Sequence, residues 1–437
     1  MNNILSDNLG NLVKAGGGKV HTGPFGSQLH AADYVQEGIP CIMPANMKSN
    51  RVDLSDIAYI TEGDANRLSK YIVKKDDIVY SRRGDVTLKA LIREKEDGYF
   101  CGTGCLLLRP GDKFDSRFLT HYLSTPTIQN WIVRQAVGAT MPNLNTGILA
   151  SIPFNGPKKE EQEKIADVLS VIEDKIELNN RINSELEAMA KTLYDYWFVQ
   201  FDFPDANGKP YKASGGKMIY NHVLKREIPE DWKVNKLVEI TSLIRRGISP
   251  KYTEESGIQV LNQKCIRNQK ISFEDSRRHQ AIMDDDDERL LKPFDVLVNS
   301  TGVGTLGRVA YVKRLAEKKT TVDSHVSSVR ANPDKVCPRY LAWKLMRYQP
   351  VIEAAANGST GQVELSKSFL EDLDVIIPSD SVAKKFSEFV EPIAISVAKR
   401  ESENEQLISL RDWLLPMLMN GQVTVKPSTE SKEAQHG

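Results

Sequence analysis

Cysteine is scarce in this chain. Cys41, Cys101, Cys105, Cys265 and Cys337 are odd in number and scattered, which argues against a disulfide framework and fits a reducing compartment. Long apolar runs are missing as well. Nothing approaches the roughly 18 consecutive apolar residues of a membrane span, and the opening MNNILSDNLGNLV has no basic stretch followed by an apolar one. A cytoplasmic protein with no membrane contact is expected. Neither sign of charge is in excess, since 58 basic side chains face 58 acidic ones, so a nucleic-acid binder working through raw net charge is excluded. With 40% apolar and 27% charged residues over 437 positions, the composition is that of a folded chain with more than one core.

Catalytic signatures are also short. There is no Walker GxxxxGK[ST], no [DN]-P-P-[YF] tetrad of an amino-methyltransferase and no HExxH. A P-D start of a nuclease cluster, at Pro204-Asp205, runs on without its second acid. Gly302-Val-Gly-Thr-Leu-Gly307 spells GxGxxG, but RVAYV follows where a dinucleotide site needs a helix, so it reads as a turn between strands. Cys101 and Cys105 lack a second pair of zinc ligands and read as buried thiols. Asp323-Ser324-His325 has the residue types of a hydrolase triad, yet neighbours on a strand point to opposite faces, and a strand is the better reading. The acidic run Asp284 to Asp287 lacks the glycine and spacing of a calcium loop and reads as a solvated loop. Gly358-Ser-Thr-Gly361 resembles a KH clamp but is read as a turn common to both halves.

What is present is a repeat at about half the chain length. GIPCIMPANM from Gly38 answers GIQVLNQKCI from Gly257, and KDDIVYSRRG (Lys75 to Gly84) answers PFDVLVNSTG (Pro293 to Gly302). Both are strand-then-loop signals. AVGATMPNLN and ANGSTGQVEL then match across Gly138 and Gly358, before extended segments ending near Pro157 and Pro378. Next comes a helical seam with spacings of four and three: Ile165, Leu169, Ile172, Ile176, Asn179, Asn183, Leu186, Ala190, Leu193 and Trp197. An offset of 221 gives its partner in Phe386, Val390, Ile393, Val397, Arg400, Asn404, Leu407, Arg411 and Leu414. If a pseudo-two-fold relates the halves, the helices run antiparallel. Asn179, Asn183, Arg400 and Asn404 then gather near the axis and fix register. Pro392 is expected to kink or restart the second helix.

Charge follows the same division. Residues 1 to 157 carry 17 basic and 15 acidic groups and 229 to 378 carry 23 and 21, whereas 158 to 203 carry 6 and 11. The globules are mildly basic and the first helix is acidic, so contact with a polyanion belongs to the globules. Their loops at strand ends hold Arg82, Arg83, Lys89, Arg245, Arg246, Arg277, Arg278 and Arg308, with Ser300 and Thr301 between. Arginine forks suit guanine edges, and small polar side chains suit adenine or phosphate.

The centre of the chain carries a family likeness. Leu193-Tyr-Asp-Tyr-Trp-Phe-Val-Gln-Phe-Asp-Phe-Pro204, Asn207-Gly-Lys-Pro-Tyr-Lys212, Gly215-Gly-Lys-Met218, Lys225-Arg-Glu-Ile-Pro-Glu-Asp-Trp232 and the helix opening Glu160-Glu-Gln-Glu-Lys-Ile165 resemble type I restriction-modification specificity subunits. Ser381-Val-Ala-Lys-Lys-Phe386 departs from that acidic opening. The resemblance implies an α+β chain in which two pseudo-two-fold related target-recognition domains are separated by two long antiparallel helices forming a coiled-coil spacer. The expected bounds are 1–157 and 229–378 for the domains, 158–200 and 379–421 for the helices, 201–228 for a linker and 422–437 for a flexible tail. It implies no catalytic site, and double-stranded DNA as ligand, each domain reading half of a gapped target. The implied partners are two modification subunits using S-adenosylmethionine and two restriction subunits using ATP and Mg. The residues alone leave open a stand-alone nuclease with an unrecognised site, or a coiled-coil adaptor that binds only protein.

Overall fold

The computed structural model describes residues 4–136, 142–280, 282–302, 304–357, 364–419 and 421–425. The matched stretches at 137–141 and 358–363, with the glycine pair expected to form a common turn, lie outside these, as does most of the expected tail. The chain divides into two compact units, Met1–Leu178 with Asn404–Gly437, and Asn179–Glu403.

Each unit builds two four-stranded sheets in one strand order. In the first unit, Lys19–Thr22, Cys105–Arg109, Ile78–Ser81 and Lys89–Leu91 form an antiparallel sheet. Phe100–Cys101, Ile39–Ile42, Ala58–Ile60 and Tyr34–Val35 form another, its first pair parallel. In the second unit the corresponding sheets are Thr241–Arg246, Val326–Ala331, Val296–Asn299, Val309–Tyr311 and Thr320–Val322, Ile258–Leu261, Arg277–His279, Tyr252–Thr253. The apolar runs matched in sequence are thus equivalent strands. Ile78–Ser81 and Val296–Asn299 are buried along their whole length, which is why they read as continuous apolar runs rather than alternating ones.

Two small features recur in both units. A hairpin pairs Met47–Lys48 with Arg51–Val52, and another pairs Ile266–Arg267 with Lys270–Ile271. Their turns, Ser49-Asn50 and Asn268-Gln269, hold all four residues at φ between 49° and 61°, the paired left-handed geometry of a two-residue hairpin turn. The cost of non-glycine residues there is offset by anchoring: the Leu91 N–H donates to the Asn50 carbonyl at 2.9 Å, and Gln269 Nε2 donates to the Met346 carbonyl at 3.2 Å. Before the central strand, Asp77 pairs with Arg109 at 3.0 Å and Asp295 with Arg330 at 2.6 Å.

The long helices span Lys159–Tyr194 and Asp380–Met419. Glu160 and Glu161 favour the positive end of the first, and Gln162, fully buried, accepts from the Asp115 N–H at 2.9 Å and donates to the Pro157 carbonyl at 2.8 Å. Within each unit, portions of both helices run antiparallel. Glu173 lies 4.0 Å from Arg411 in the first, and Asn179 Nδ2 donates to Glu403 at 2.9 Å in the second. The first core joins Leu9, Phe118 and Phe154 to Ile165, Leu169, Leu415 and Leu418. The second joins Tyr194, Trp197, Phe198, Phe201 and Phe203 to Trp232, Tyr340 and Phe386. Here the first helix ends in a wider turn over Asp195–Val199, with the Gln200 N–H donating to the Asp195 carbonyl at 2.9 Å. That turn seats Trp197 and Phe198 in the core.

Pro392 does not restart the second helix, which is continuous across it. Its ring is exposed, on the side where a carbonyl deprived of its partner can turn to water. Along the seam, Ile165, Leu169, Ile172, Asn179, Asn183, Phe386, Val390, Val397 and Asn404 are buried; Ile176, Leu186, Leu193, Ile393, Arg400, Leu407 and Leu414 are half-buried. Arg400 folds back one turn, donating to the Ser396 carbonyl at 3.0 Å. No helix among the described residues is long and apolar enough to cross a membrane.

Removing Arg330 would leave the Asp295 carboxylate, 1% exposed, without its counter-charge. Arg330→Leu is therefore expected to cost the second unit about 3–5 kcal/mol, read as a lower denaturant midpoint for its transition.

Candidate nucleic-acid interface

Identical backbone hydrogen bonds place equivalent loops in the two units. In the first, the Arg82 N–H donates to the Gly104 carbonyl at 2.9 Å, the Leu144 N–H to the Arg82 carbonyl at 2.8 Å and the Gly23 N–H to the Cys105 carbonyl at 2.8 Å. In the second, Ser300 donates to His325 at 2.9 Å, Leu365 to Ser300 at 2.8 Å and Gly247 to Val326 at 3.0 Å. Isolated bridges join Arg83 to Asn143 and Thr301 to Glu364. The cradle is thus one structure made twice. Its side chains differ: Arg82, Arg83, Gly104 and Asn143 in one unit stand where Ser300, Thr301, His325 and Glu364 stand in the other.

In the second unit these side chains form a polar chain across several loops. Arg277 lies over the Tyr252 ring at 4.2 Å, and Tyr252 Oη donates to Asp323 Oδ2 at 3.3 Å. The His325 N–H donates to Asp323 Oδ1 at 3.0 Å, and His325 Nδ1 lies 2.7 Å from Thr301 Oγ1. Glu364, bridged to Thr301, holds Arg246 in an ion pair. Asp323-Ser324-His325 is a turn between strands rather than the strand expected. It is no triad, since the carboxylate serves the histidine's own backbone and a tyrosine. In the first unit, Arg82 lies over the exposed Phe25 ring at 5.5 Å, a cation and an aromatic face of the kind that stacks on bases.

The expected arginines divide by their partners. Arg245 pairs with Glu288, Arg246 with Glu364 and Arg278 with Glu317. Arg82, Arg83, Arg277 and Arg308 have no carboxylate within 4.0 Å among the described residues, and Arg308 donates only to the Gly304 carbonyl at 2.8 Å. Two expected contacts are corrected. Ser300 is wholly buried, its hydroxyl 2.6 Å from that of Ser327. Lys89 begins a strand and is 3% exposed; its equivalent by strand register is the core residue Val309. Neither presents a group to a surface ligand. Sequence reasoning missed Tyr252, Glu364, Asn143 and Phe25, and the surface role of His325. The match of Arg83-Gly84 with Thr301-Gly302 was the one signal that led toward them.

The acidic run is held by bases, Asp285 by Lys318 and Lys319 and Asp287 by Arg289. Cys41, Cys101 and Cys105 are fully buried free thiols, and burial pushes Cys41 up to about 12.

A family model for the type I restriction modification DNA specificity domain matches residues 24–188 and again 229–407, two matches that together span well over half of the chain. The chain belongs to that family. The type I specificity subunit is similar to the MjaIX specificity subunit of Methanocaldococcus jannaschii, 24% identical over 90% of this chain and 89% of that one. It is also similar to the HindI specificity subunit of Haemophilus influenzae, 22% identical over 81% and 88%. Its fold resembles the crystal structure of a type I system S subunit from M. genitalium, with a TM-score of 0.56, 17% identity and coverage of 98% and 97%. A specificity subunit recognises DNA sequence and is not itself catalytic, which accords with a cradle whose acids are engaged by neighbouring donors.

Burial holds Lys89 down to about 7, against the weaker opposing pull of Asp85 and Glu173. An unfolded lysine titrates near about 10.4, so the charge it takes up as pH falls from about 10 to about 7 penalises the folded unit. Lys89→Met is expected to stabilise the first unit at pH 7 by on the order of 2–4 kcal/mol. The gain should fade toward pH 10 in denaturant titrations, with DNA sequence preference unchanged.

Proposed function

We propose that each recognition domain of this specificity subunit reads one half of an asymmetric, gapped DNA target, and that the two long helices set the gap and dock the partner subunits. The observation that carries this is the duplicated cradle with unlike side chains. One backbone geometry presents Arg82, Arg83 and Asn143 in the first domain, and Thr301, His325, Glu364 and Arg246 in the second. Arginine-rich and hydroxyl-rich surfaces on one scaffold favour different base edges, so two half-sites of different sequence follow. Arg82, Arg83, Arg277 and Arg308 have charge free for bases or phosphates.

Docking of partners is supported by apolar side chains on the helices that stay largely exposed in their own unit. Val171 and Met189 on the first helix, and Phe389, Ile395 and Trp413 on the second, are all more than 60% exposed. Side chains of this kind on helices that already bury a seam mark an association surface. The partners are two modification subunits that methylate adenine with S-adenosylmethionine and, through them, two restriction subunits that use ATP and Mg; the specificity subunit needs no cofactor of its own.

Adenine-methylation mapping of the host genome with and without this gene tests the reading. One bipartite motif with unequal halves should disappear with the gene; loss of no motif, or of a continuous one, would sink it. Arg83→Ala and Arg308→Ala should each relax one position of a different half-site at a cost of about 1–3 kcal/mol if they touch bases. If they touch phosphates, all sites should weaken together with a shallower salt dependence. Adding one heptad to both helices, about 10.5 Å, should change the tolerated gap and leave both half-sites as they are. The same map measures this.

A further inference from the structure

Among the contacts of each recognition domain with the helices, beside the shared cores and the Arg117–Asp167 and Arg339–Glu391 pairs, are two basic residues at equivalent positions. Arg51 and Lys270 follow the left-handed turns of the two hairpins. Arg93 and Lys313 follow Ile92 and Val312, whose N–H groups donate to the Asp77 and Asp295 carbonyls, both at 2.8 Å. In both units one glutamate of the first long helix reaches both bases, and in the first unit Asp174 of the same helix also takes Arg51, at 3.0 Å. Glu177 pairs with Arg51 and, at 3.0 Å, with Arg93; Glu187 pairs with Lys313 and, at 3.3 Å, with Lys270.

This grip departs from the repeat. The offset of 221 that relates the seams makes Ala398 and Ile408 of the second helix the equivalents of Glu177 and Glu187, and neither is an acid. The basic pair is duplicated, while its acids all come from one helix. A duplicated packing surface would have placed them on both.

Beside each grip the side chains leave a cleft. One of about 250 Å³ is lined by Arg51, Arg93, His121 and Glu173, and one of about 270 Å³ by Glu187, Lys270, Lys313, Trp343 and Ile393. Close-packed side chains resist rotation of one element on another, whereas a gap forfeits that resistance. On that side the ion pairs at the rim then add the restraint that the shared cores do not supply. Burial tends to raise the Glu187 carboxyl, but Lys313 and Lys270 outweigh it and hold it below its ordinary range, so it is charged at neutral pH.

We propose that Glu177 and Glu187 are positioning residues that fix the pose of each recognition domain on the helices, and through it the spacing at which two half-sites are accepted. This rests on the gapped-target reading above. Its test uses the full chain in complex with its modification subunits, and a DNA library in which the two half-sites are separated by the natural gap or by gaps one or two base pairs longer or shorter. Adenine methylation is the readout. Glu187→Gln, which keeps shape and removes charge, should leave both half-site sequences unchanged and raise methylation at off-by-one gaps, relative to the natural gap, by about fivefold. The charge-inverted variant Glu187→Lys with Lys270→Glu and Lys313→Glu should return the narrow preference, which a loss of general stability would not do. An unchanged gap profile in Glu187→Gln overturns the proposal, as does a broadened profile that charge inversion leaves broad. Should Glu187→Gln fail to fold, Lys270→Gln with Lys313→Gln replaces it: a broadened profile supports the grip, and an unchanged one overturns it. A wild-type complex indifferent to the gap would instead overturn the gapped-target reading itself, and is visible before any variant is made.

Discussion

Both recognition domains have a core wholly their own, around the sheets of Ile39–Ile42 and Ile258–Leu261, but neither domain completes its other core unaided. The first is closed by Leu415 and Leu418 of the last helix, more than two hundred residues away in sequence, and the second by Tyr194, Trp197 and Phe198 at the end of the first helix. Burying these side chains is worth roughly 1.5–3 kcal/mol each, and only the antiparallel course of the helices brings them in. Everything else is arranged around that exchange: the strands sit where the helices allow, and the cradles open where the strands end. The conspicuous aromatic run at the centre of the sequence is therefore a device of folding. Tyr194, Trp197 and Phe198 are buried against Tyr340 or Phe386, whereas Tyr196 is left exposed.

On the proposed reading, recognition is a matter of what hangs on a fixed backbone. Because the hydrogen bonds of the cradle are made by main-chain groups, they place no demand on the side chains, and an arginine in one copy can be a serine or threonine in the other. That separation of scaffold from contact lets a repeated domain diverge without refolding. The engaged acids keep the second cradle from being a simple cationic patch: Glu364 and Asp323 fix donors in place, and fixed donors discriminate better than mobile ones.

Much of this was legible in the residues. The offsets near 220 located equivalent strands because buried strands keep their apolar identity, and the four-three spacing located the seam because helix pairing demands it. What was hidden depends on direction and distance. Lys89 stands near the arginine loop in sequence, yet strand alternation turns it inward. Ser300 looked like a contact, but it is the position whose backbone is used and whose side chain is buried. Pro392 lacks an N–H, yet the helix runs on through it where the ring faces solvent. The partners of Arg51 and Lys313 lie more than a hundred residues away, and no local pattern can name them.

The shared cores also impose an order on synthesis. When the ribosome has made the first recognition domain and its helix, Ile165 and Leu169 are available to pack on Phe118 and Phe154, but Leu415 and Leu418, which complete that core, do not exist until the second domain has been made. At about 5–20 residues per second this is a delay of the order of tens of seconds, during which an apolar surface is open to chaperones or to another nascent copy. The chain does not fold like beads emerging one after another. It is closed from its last helix, and a truncated product leaves its oldest domain unfinished.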